Sequence, residues 1–214
     1  MIYFSRTRYT LVMNRLRKIL VSIWLLLLVS CSDTPTLPPL PTDGAILAFG
    51  DSLTYGTGAA AGESYPEVLE TLIRRRVINA GIPGETTAEG LVRLPALLEE
   101  QKPRLMVLCL GGNDFLRRMD EDQTEKNLKA MVGAARERGV PVVLLGVPKP
   151  GVFLKAHSMY CNIAGQFALP YEGKSLQRVL GDTSLKSDPI HPNAAGYREL
   201  AEAVAKVLKK SGAL

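Results

Sequence analysis

Four short runs of apolar residues, each followed by a longer amphipathic stretch, constrain the fold of this chain most strongly. The runs carry Val, Leu and Ile with little interruption, which is typical of strands buried on both faces of a parallel sheet. They predict strands at residues 45–49, 76–79, 105–110 and 140–147. Alternation of such strands with helices predicts an α/β fold, with an open sheet between two helical layers.

The stretches between these runs predict the helices. They fall at 65–75, at 86–101 with a bend near Pro95, and at 123–138, and a last helix is capped by Asn193. Gly139 follows the third of them, a good position for a left-handed helix cap. Residues 148–187 are less regular, and there we expect a helix around 155–165 and a short fifth strand at 167–169.

The first thirty residues predict a signal peptide. A basic stretch precedes the apolar residues 19–29, which are too few to span a bilayer comfortably. The sequence Leu28-Val29-Ser30-Cys31 resembles the lipobox of bacterial lipoproteins, whose cysteine is lipidated; an ordinary signal peptide with a chance cysteine is the alternative. We therefore expect a leader at 1–30, an extended proline-rich tether at 31–43 and a folded domain at 44–214.

The leader also accounts for the net charge of +5. It holds five of the 26 Lys and Arg residues and none of the 21 Asp and Glu residues, so the rest of the chain is formally neutral. A neutral domain gives no reason to expect nucleic acid as a partner. Membrane contact is expected through the N-terminal lipid anchor alone, which would place the protein in the cell envelope, on the periplasmic side or at the outer membrane.

Cys109 and Cys161 are the cysteines beyond the leader. Cys109 lies in an apolar run and is expected to be a small buried hydrophobic residue. An oxidising compartment would allow a bridge between the two, although two cysteines make no disulfide framework.

Polar residues collect where the predicted strands end. Ser52 follows the first strand, residues 79–84 follow the second and residues 111–114 follow the third. Because ligands bind outside the carboxyl ends of parallel strands, we expect these groups to meet at one edge of the sheet.

Ser52 and His191 are the candidate nucleophile and base. A serine hydroxyl needs a base with a pKa near neutrality, and the chain has only two histidines. Asp188 precedes His191 by three residues and can orient its ring. Thr54 occupies the last position of the G-x-S-x-G pattern, which disfavours an α/β-hydrolase. Taken singly, Ser52 is also compatible with a helix cap and His191 with a surface turn.

Three N–H groups are candidates for holding a developing oxyanion. They are the side-chain amide of Asn113, the backbone N–H of Gly84 and the backbone N–H of Ser52. Asparagine in a Gly-Gly-Asn-Asp turn is equally typical of left-handed backbone.

Four segments together resemble the signature blocks of the SGNH hydrolases, also called GDSL esterases or lipases. They are Gly-Asp-Ser-Leu at 50–53, the loop around Gly84, Gly-Gly-Asn-Asp at 111–114 and Asp-Pro-Ile-His at 188–191. Their order and spacing match the family over about residues 44–210. Residues 79–86 further resemble the branch of small bacterial arylesterases, lysophospholipases and acyl thioesterases.

The resemblance implies a flavodoxin-like three-layer fold with about five parallel strands. It implies Ser52 as nucleophile, His191 as base and Asp188 as its partner, with Ser52, Gly84 and Asn113 forming the oxyanion hole. The expected activity is hydrolysis of acyl esters, lysophospholipids or thioesters through an acyl-serine. A deacetylase of cell-wall glycan is the alternative enzyme, and an inactive binding lipoprotein is the alternative outside enzymes.

This chemistry requires neither metal nor cofactor. His157 has no second histidine or carboxylate at ligand spacing, and we expect it in a loop near the pocket mouth. Five residues that follow the carboxyl edge of the sheet are candidates for the wall of an acyl-binding pocket. The alternative is that their side chains pack under a loop in the ordinary way. These residues are Phe115, Leu116, Val152, Phe153 and Leu154.

Overall fold

In the computed structural model, which describes residues 35–151 and 154–214, five parallel strands form a sheet. Along the chain they are β1 (Ile46–Gly50), β2 (Val77–Gly81), β3 (Leu105–Cys109), β4 (Val142–Leu145) and β5 (Tyr171–Glu172). Their order across the sheet is β2-β1-β3-β4-β5. This is the doubly wound arrangement in which the winding reverses beside the first strand.

The helices connect the strands and cover the sheet. They are α1 (Ser52–Tyr55), α2 (Tyr65–Ile73), α3 (Thr87–Gln101), α4 (Gly112–Leu116), α5 (Glu121–Glu137), α6 (Ser158–Phe167), α7 (Ser175–Gly181) and α8 (Ala194–Lys210). Helices α2 and α8 pack together, as do α3 and α5, so each pair forms one of the two outer layers. The three-layer α/β/α prediction is confirmed.

Side-chain chemistry explains why these segments form these elements. The first four residues of β1 are completely buried, as the continuous apolar run predicts. Capping boxes start two of the helices, with Ser64 and Glu67 at α2 and Thr86 and Glu89 at α3. Gly139 has the positive φ expected of a left-handed residue after a helix.

The sequence prediction fails mainly near the fifth strand. Residue Phe167 ends α6 instead of starting a strand, because Ala168 adopts a left-handed conformation that stops the helix. The strand begins after Pro170 and pairs Tyr171 with Leu144. The short helices α1, α4 and α7 were not predicted, since four to seven residues carry too little periodicity.

The N-terminal segment differs from an extended tether over its described part. The backbone N–H groups of Leu37 and Leu40 donate to the carbonyls of Ser211 and Ala213, at 2.7 and 2.8 Å. Leu40 is buried in the core, so apolar burial holds residues 37–40 against the end of α8. The predicted signal peptide and Cys31 lie outside the described residues.

Within the described ranges, no helix is both long and apolar enough to cross a bilayer. Cys109 and Cys161 are free thiols, the first buried and the second exposed. Burial raises the pKa of the Cys109 thiol well above its usual value.

Candidate active site

The loops that carry the candidate residues meet at the centre of the sheet. Gly50, the last residue of β1, is paired with Gly81 of β2 on one side and with Cys109 of β3 on the other. The segments after β1 and β3 therefore leave the sheet side by side, where the winding reverses and ligands bind in such folds. Asn79 lies within β2, not after it as predicted, because that strand continues to Gly81.

Ser52 is the first residue of α1, directly after β1. The buried Asp51 caps this helix, and its carboxylate accepts the N–H of Leu53 at 3.0 Å. In the first turn of a helix, backbone N–H groups have no partner within the helix. The N–H of Ser52 is therefore available to a ligand beside its own hydroxyl.

Ser52, His191 and Asp188 form a continuous chain of hydrogen bonds. The Nε2 atom of His191 lies 3.0 Å from Ser52 Oγ, and its Nδ1 lies 2.7 Å from Asp188 Oδ2. This network favours the tautomer in which Nδ1–H donates to the carboxylate and Nε2 accepts from the hydroxyl. The structure thus brings together the serine, base and acid that the sequence singled out.

The loop that carries Asp188 and His191 is tied at both ends. Asp188 Oδ1 accepts the backbone N–H groups of Ile190 and His191, each at 2.8 Å, and Ser187 N–H donates to the carbonyl of His191 at 3.0 Å. Behind the loop, the fully buried Tyr197 donates to the carbonyl of Thr57 at 2.7 Å. This last bond joins α8 to the segment that follows Ser52.

Asp188 is held in its ionised form. Burial opposes its ionisation, but the hydrogen bonds from the His191 ring and from two backbone N–H groups together outweigh that effect and keep its pKa below the ordinary value. An ionised Asp188 stabilises a protonated imidazole, which a general base becomes after it accepts a proton.

Asn113 shares the cavity of Ser52 and His191, whereas Gly84 lines a neighbouring depression. Asn113 Nδ2 donates to the carbonyl of Glu85 at 2.9 Å and lies 3.4 Å from Asp51 Oδ2. The second distance exceeds the usual range for an N–H···O bond. One amide hydrogen therefore orients the side chain, and the other is only weakly held by Asp51.

Further bonds tie the Gly84 loop to the end of α4, and α4 to the start of α3. Arg117, at the end of α4, donates to the carbonyl of Gly84 at 2.8 Å. The buried Asp114 accepts both the N–H and the hydroxyl of Thr87, at 2.9 and 2.6 Å. Because Arg117 directly follows the short helix that holds Asn113, the predicted donors at Asn113 and Gly84 are held in a defined relation.

The same loop is fixed from α3 by a partly buried ion pair. Arg93 contacts both carboxylate oxygens of Glu85, at 2.8 and 2.7 Å, and its guanidinium lies 4.2 Å from the centre of the Phe49 ring. A bidentate pair of this kind is geometrically strict. It fixes the residue whose carbonyl orients the Asn113 amide.

A cavity of about 310 Å³ opens beside Ser52. Its wall is mostly apolar, and two of the predicted wall residues, Leu116 and Leu154, line it. Phe115 does not: it is buried, and its ring packs 5.4 Å from that of His157 and 6.4 Å from that of Tyr160. Val152 and Phe153 lie outside the described residues. The other lining residues with apolar side chains are Leu53, Val147, Pro148, Pro150, Leu180, Pro189 and Ile190.

His157 has a structural position at the start of α6. Its Nδ1 accepts the N–H of Met159 at 3.3 Å, and its Nε2 lies 3.1 Å from Glu121 Oε2. Glu121 also pairs with Lys149, so the three side chains join α5 to the segment after β4. Across residues 35–151 and 154–214, no group of His, Cys, Asp and Glu side chains is arranged to hold a metal ion.

Asp51 and Lys186 are cavity residues that the sequence analysis did not single out. Burial, with smaller contributions from the carboxylates of Asp114 and Glu85, raises the pKa of Asp51 to about 7. The sequence feature that could have identified Asp51 is its position directly before the candidate nucleophile Ser52. Lys186 carried no signal, since a lysine in an irregular segment is normally solvated.

Comparison with known proteins identifies one family over most of the described residues. The pattern of the GDSL-like Lipase/Acylhydrolase family matches residues 48–199. Esterase TesA of Pseudomonas aeruginosa is 36% identical over 197 residues, which are 86% of this chain and 97% of that protein. The Escherichia coli K12 protein named thioesterase 1/protease 1/lysophospholipase L1 is 31% identical over 172 residues, covering 77% of this chain and 83% of that protein.

Solved structures agree with the sequence comparison. The psychrotrophic esterase EstA from Pseudoalteromonas sp., in a crystal structure inhibited by monoethylphosphonate, superimposes with a TM-score of 0.71 at 26% identity. The match covers 78% of this chain and 98% of that chain. The fold around the candidate site is therefore shared with an esterase.

Asp51→Asn should stabilise the protein more at high pH than at low pH. The carboxyl has a pKa of about 7 when folded and 3.8 as its ordinary value, so between these values the native state holds a proton that the unfolded chain has lost. The contribution of Asp51 to the free energy of unfolding thus falls as pH rises, and asparagine, an equally good helix cap, removes that fall. We expect the gain over wild type to be about 2–3 kcal/mol larger at about pH 8 than at about pH 5.

Urea unfolding at the two pH values measures this difference. Asp43→Asn, at an exposed turn, is the matched control and should change stability little at either pH. An equal effect of Asp51→Asn at both pH values would show that Asp51 is ionised throughout.

Proposed function

Because this chain belongs to the GDSL-like lipase/acylhydrolase family, we propose that it hydrolyses carboxylic esters through an acyl intermediate on Ser52. It is a carboxylic ester hydrolase. The observation that carries the assignment of the nucleophile is the 3.0 Å contact between Ser52 Oγ and His191 Nε2, continued by the 2.7 Å contact between His191 Nδ1 and Asp188.

The proposed reaction follows from these contacts. His191 Nε2 accepts the hydroxyl proton as Ser52 Oγ attacks the ester carbonyl, and the ionised Asp188 stabilises the imidazolium. The protonated His191 then gives that proton to the leaving alcohol as the tetrahedral intermediate collapses to an acyl-serine. A water molecule, deprotonated by His191, attacks the acyl-serine and releases the carboxylic acid and Ser52.

The oxyanion of each tetrahedral intermediate is proposed to bind the N–H groups of Ser52, Asn113 and Gly84. The position of Ser52 at the start of α1 and the orientation of Asn113 by the Glu85 carbonyl support the first two. For Gly84, the support is the bond from Arg117 that ties its loop to the helix of Asn113. Donors fixed before reaction need little reorganisation when charge develops.

Ser52→Ala and Asn113→Ala should both lower turnover, for different reasons. Removal of the nucleophile should reduce hydrolysis of p-nitrophenyl butyrate to background. Loss of the Asn113 donor should lower kcat by about 10²–10³-fold with little change in KM, because the donor acts on charge in the transition state.

Steady-state kinetics and labelling by a fluorophosphonate probe measure both effects, and Asn162→Ala on the exposed side of α6 is the matched control. A raised KM with unchanged kcat would remove Asn113 from the oxyanion hole. Failure of wild-type Ser52 to react with the probe would favour the inactive binding protein.

The cavity supports acyl groups longer than acetyl as the substrate class. Its volume of about 310 Å³ lies at the lower end of the range for small-ligand sites. An acetyl group would contact only a small part of its apolar wall, whereas a longer acyl chain would contact more of it. We expect kcat/KM for p-nitrophenyl esters to rise from acetate to chains of intermediate length. Activity confined to acetate would instead favour the O-acetyl esterase.

We propose that Cys31 carries a lipid that holds the enzyme at a membrane of the cell envelope. The support is the sequence Leu28-Val29-Ser30-Cys31 after the apolar run of the leader. Labelled palmitate should enter the wild-type protein and not Cys31→Ser, which should also move to the soluble fraction. Equal labelling of the two proteins would contradict a lipid at this residue.

A further inference from the structure

Lys186 contributes a cationic side chain to a cavity whose wall is otherwise mainly apolar. Of the described residues that line the cavity, Lys186 is the sole lysine or arginine. Its side chain is half-buried, and its apolar neighbours in the wall include Leu180 and Ile190. A charged ammonium beside apolar surface is less well hydrated than one on an open surface, so it gains more from an anionic partner.

The backbone of Lys186 is fixed next to the catalytic base. Lys186 pairs with Pro192 in an isolated antiparallel bridge, and the next residue, Ser187, donates its N–H to the carbonyl of His191 at 3.0 Å. The backbone of Lys186 therefore lies at the base of the loop that carries Asp188 and His191. This position keeps the lysine side chain close to these two residues.

The ammonium retains hydrogen-bonding capacity. Its Nζ donates to the carbonyl of Leu180 at 3.1 Å, which uses one of three N–H groups. Lys186 forms no ion pair with any residue in 35–151 or 154–214. The carboxylate of Asp182 is nearby but accepts bonds from Ser184 at 2.8 and 2.7 Å.

Asp51 also lines the cavity, so its carboxyl group could in principle compete with an anionic ligand for Lys186. Its raised pKa of about 7 leaves a large share of it protonated near neutrality. It therefore competes weakly with a fully ionised ligand for the lysine.

We propose that Lys186 determines specificity for esters that carry a second, anionic group, a carboxylate or a phosphate, within reach of the cavity. The inference rests on the proposed ester hydrolysis at Ser52 and adds the charge of the preferred substrate. The competing explanation is purely structural: Lys186 supplies a donor to the last turn of α7, where carbonyls lack partners.

Three esters with the same chemistry but different charge separate these explanations. They are p-nitrophenyl butyrate, which is neutral, 5-butyryloxy-2-nitrobenzoate, with a carboxylate on the alcohol side, and mono-p-nitrophenyl glutarate, with a carboxylate on the acyl side. We expect Lys186→Gln to lower kcat/KM by about 3–10-fold for one of the two anionic esters and to leave the neutral ester unchanged. The affected ester identifies the side on which the anion binds.

Lys186→Arg should retain the preference because it keeps the charge, and Lys206→Gln, at an exposed position of α8, should match wild type on all three esters. Equal loss on all three esters, or a lower Tm without any change in selectivity, would overturn the proposal in favour of the helix-capping role. Absence of neutral-ester hydrolysis by the wild-type enzyme would refute the proposed function itself, whereas normal hydrolysis with unchanged selectivity would refute only the role of Lys186.

Discussion

The parallel pairing of β1 with β3 sets the geometry of the candidate site. It places the turn after β1, with Ser52, beside the turn after β3, with Asn113. Gly50 makes this close approach possible, because a Cβ there would lie 2.1 Å from the carbonyl oxygen of Cys109 and 2.3 Å from Thr54 Oγ1. A larger residue would force the first turn away from the sheet, and the proposed nucleophile Ser52 would lose its position relative to the proposed donor Asn113.

Asp51 shows how stability and function meet in one residue. Its carboxylate caps the helix that presents Ser52, yet it is completely buried and lies beside two other carboxylates. The raised pKa measures the free energy that the fold loses whenever this group is ionised. Such a cost in stability is typical of residues at functional sites, where charged groups are positioned for chemistry at the expense of the stability of the fold.

The two sides of the cavity are held in different ways. On the side of Ser52 and Asn113, the bond from Tyr197 to Thr57 and the ion pair of Arg93 with Glu85 fix the polar groups through partly buried contacts. At the apolar wall, the segment after β4 is attached through Glu121 and its partners Lys149 and His157, which are at least partly exposed. Because exposed ion pairs contribute little to stability, residues of that wall segment can vary without disturbing the polar groups around Ser52.

Local features of the sequence predict the buried strands from continuous apolar runs, the helix starts from capping residues, and the candidate serine, aspartate and histidine from residue type and order. Contacts between residues distant in the chain set the remaining features. Phe115 packs against His157 instead of lining the cavity, and Gly84 lines the adjacent depression. The fifth strand begins after Pro170 because pairing with β4, not local propensity, sets its position. Lys186 became a cavity residue in the same way. The face of a side chain, and the charge and solvent around it, are set by packing against partners that no local pattern specifies.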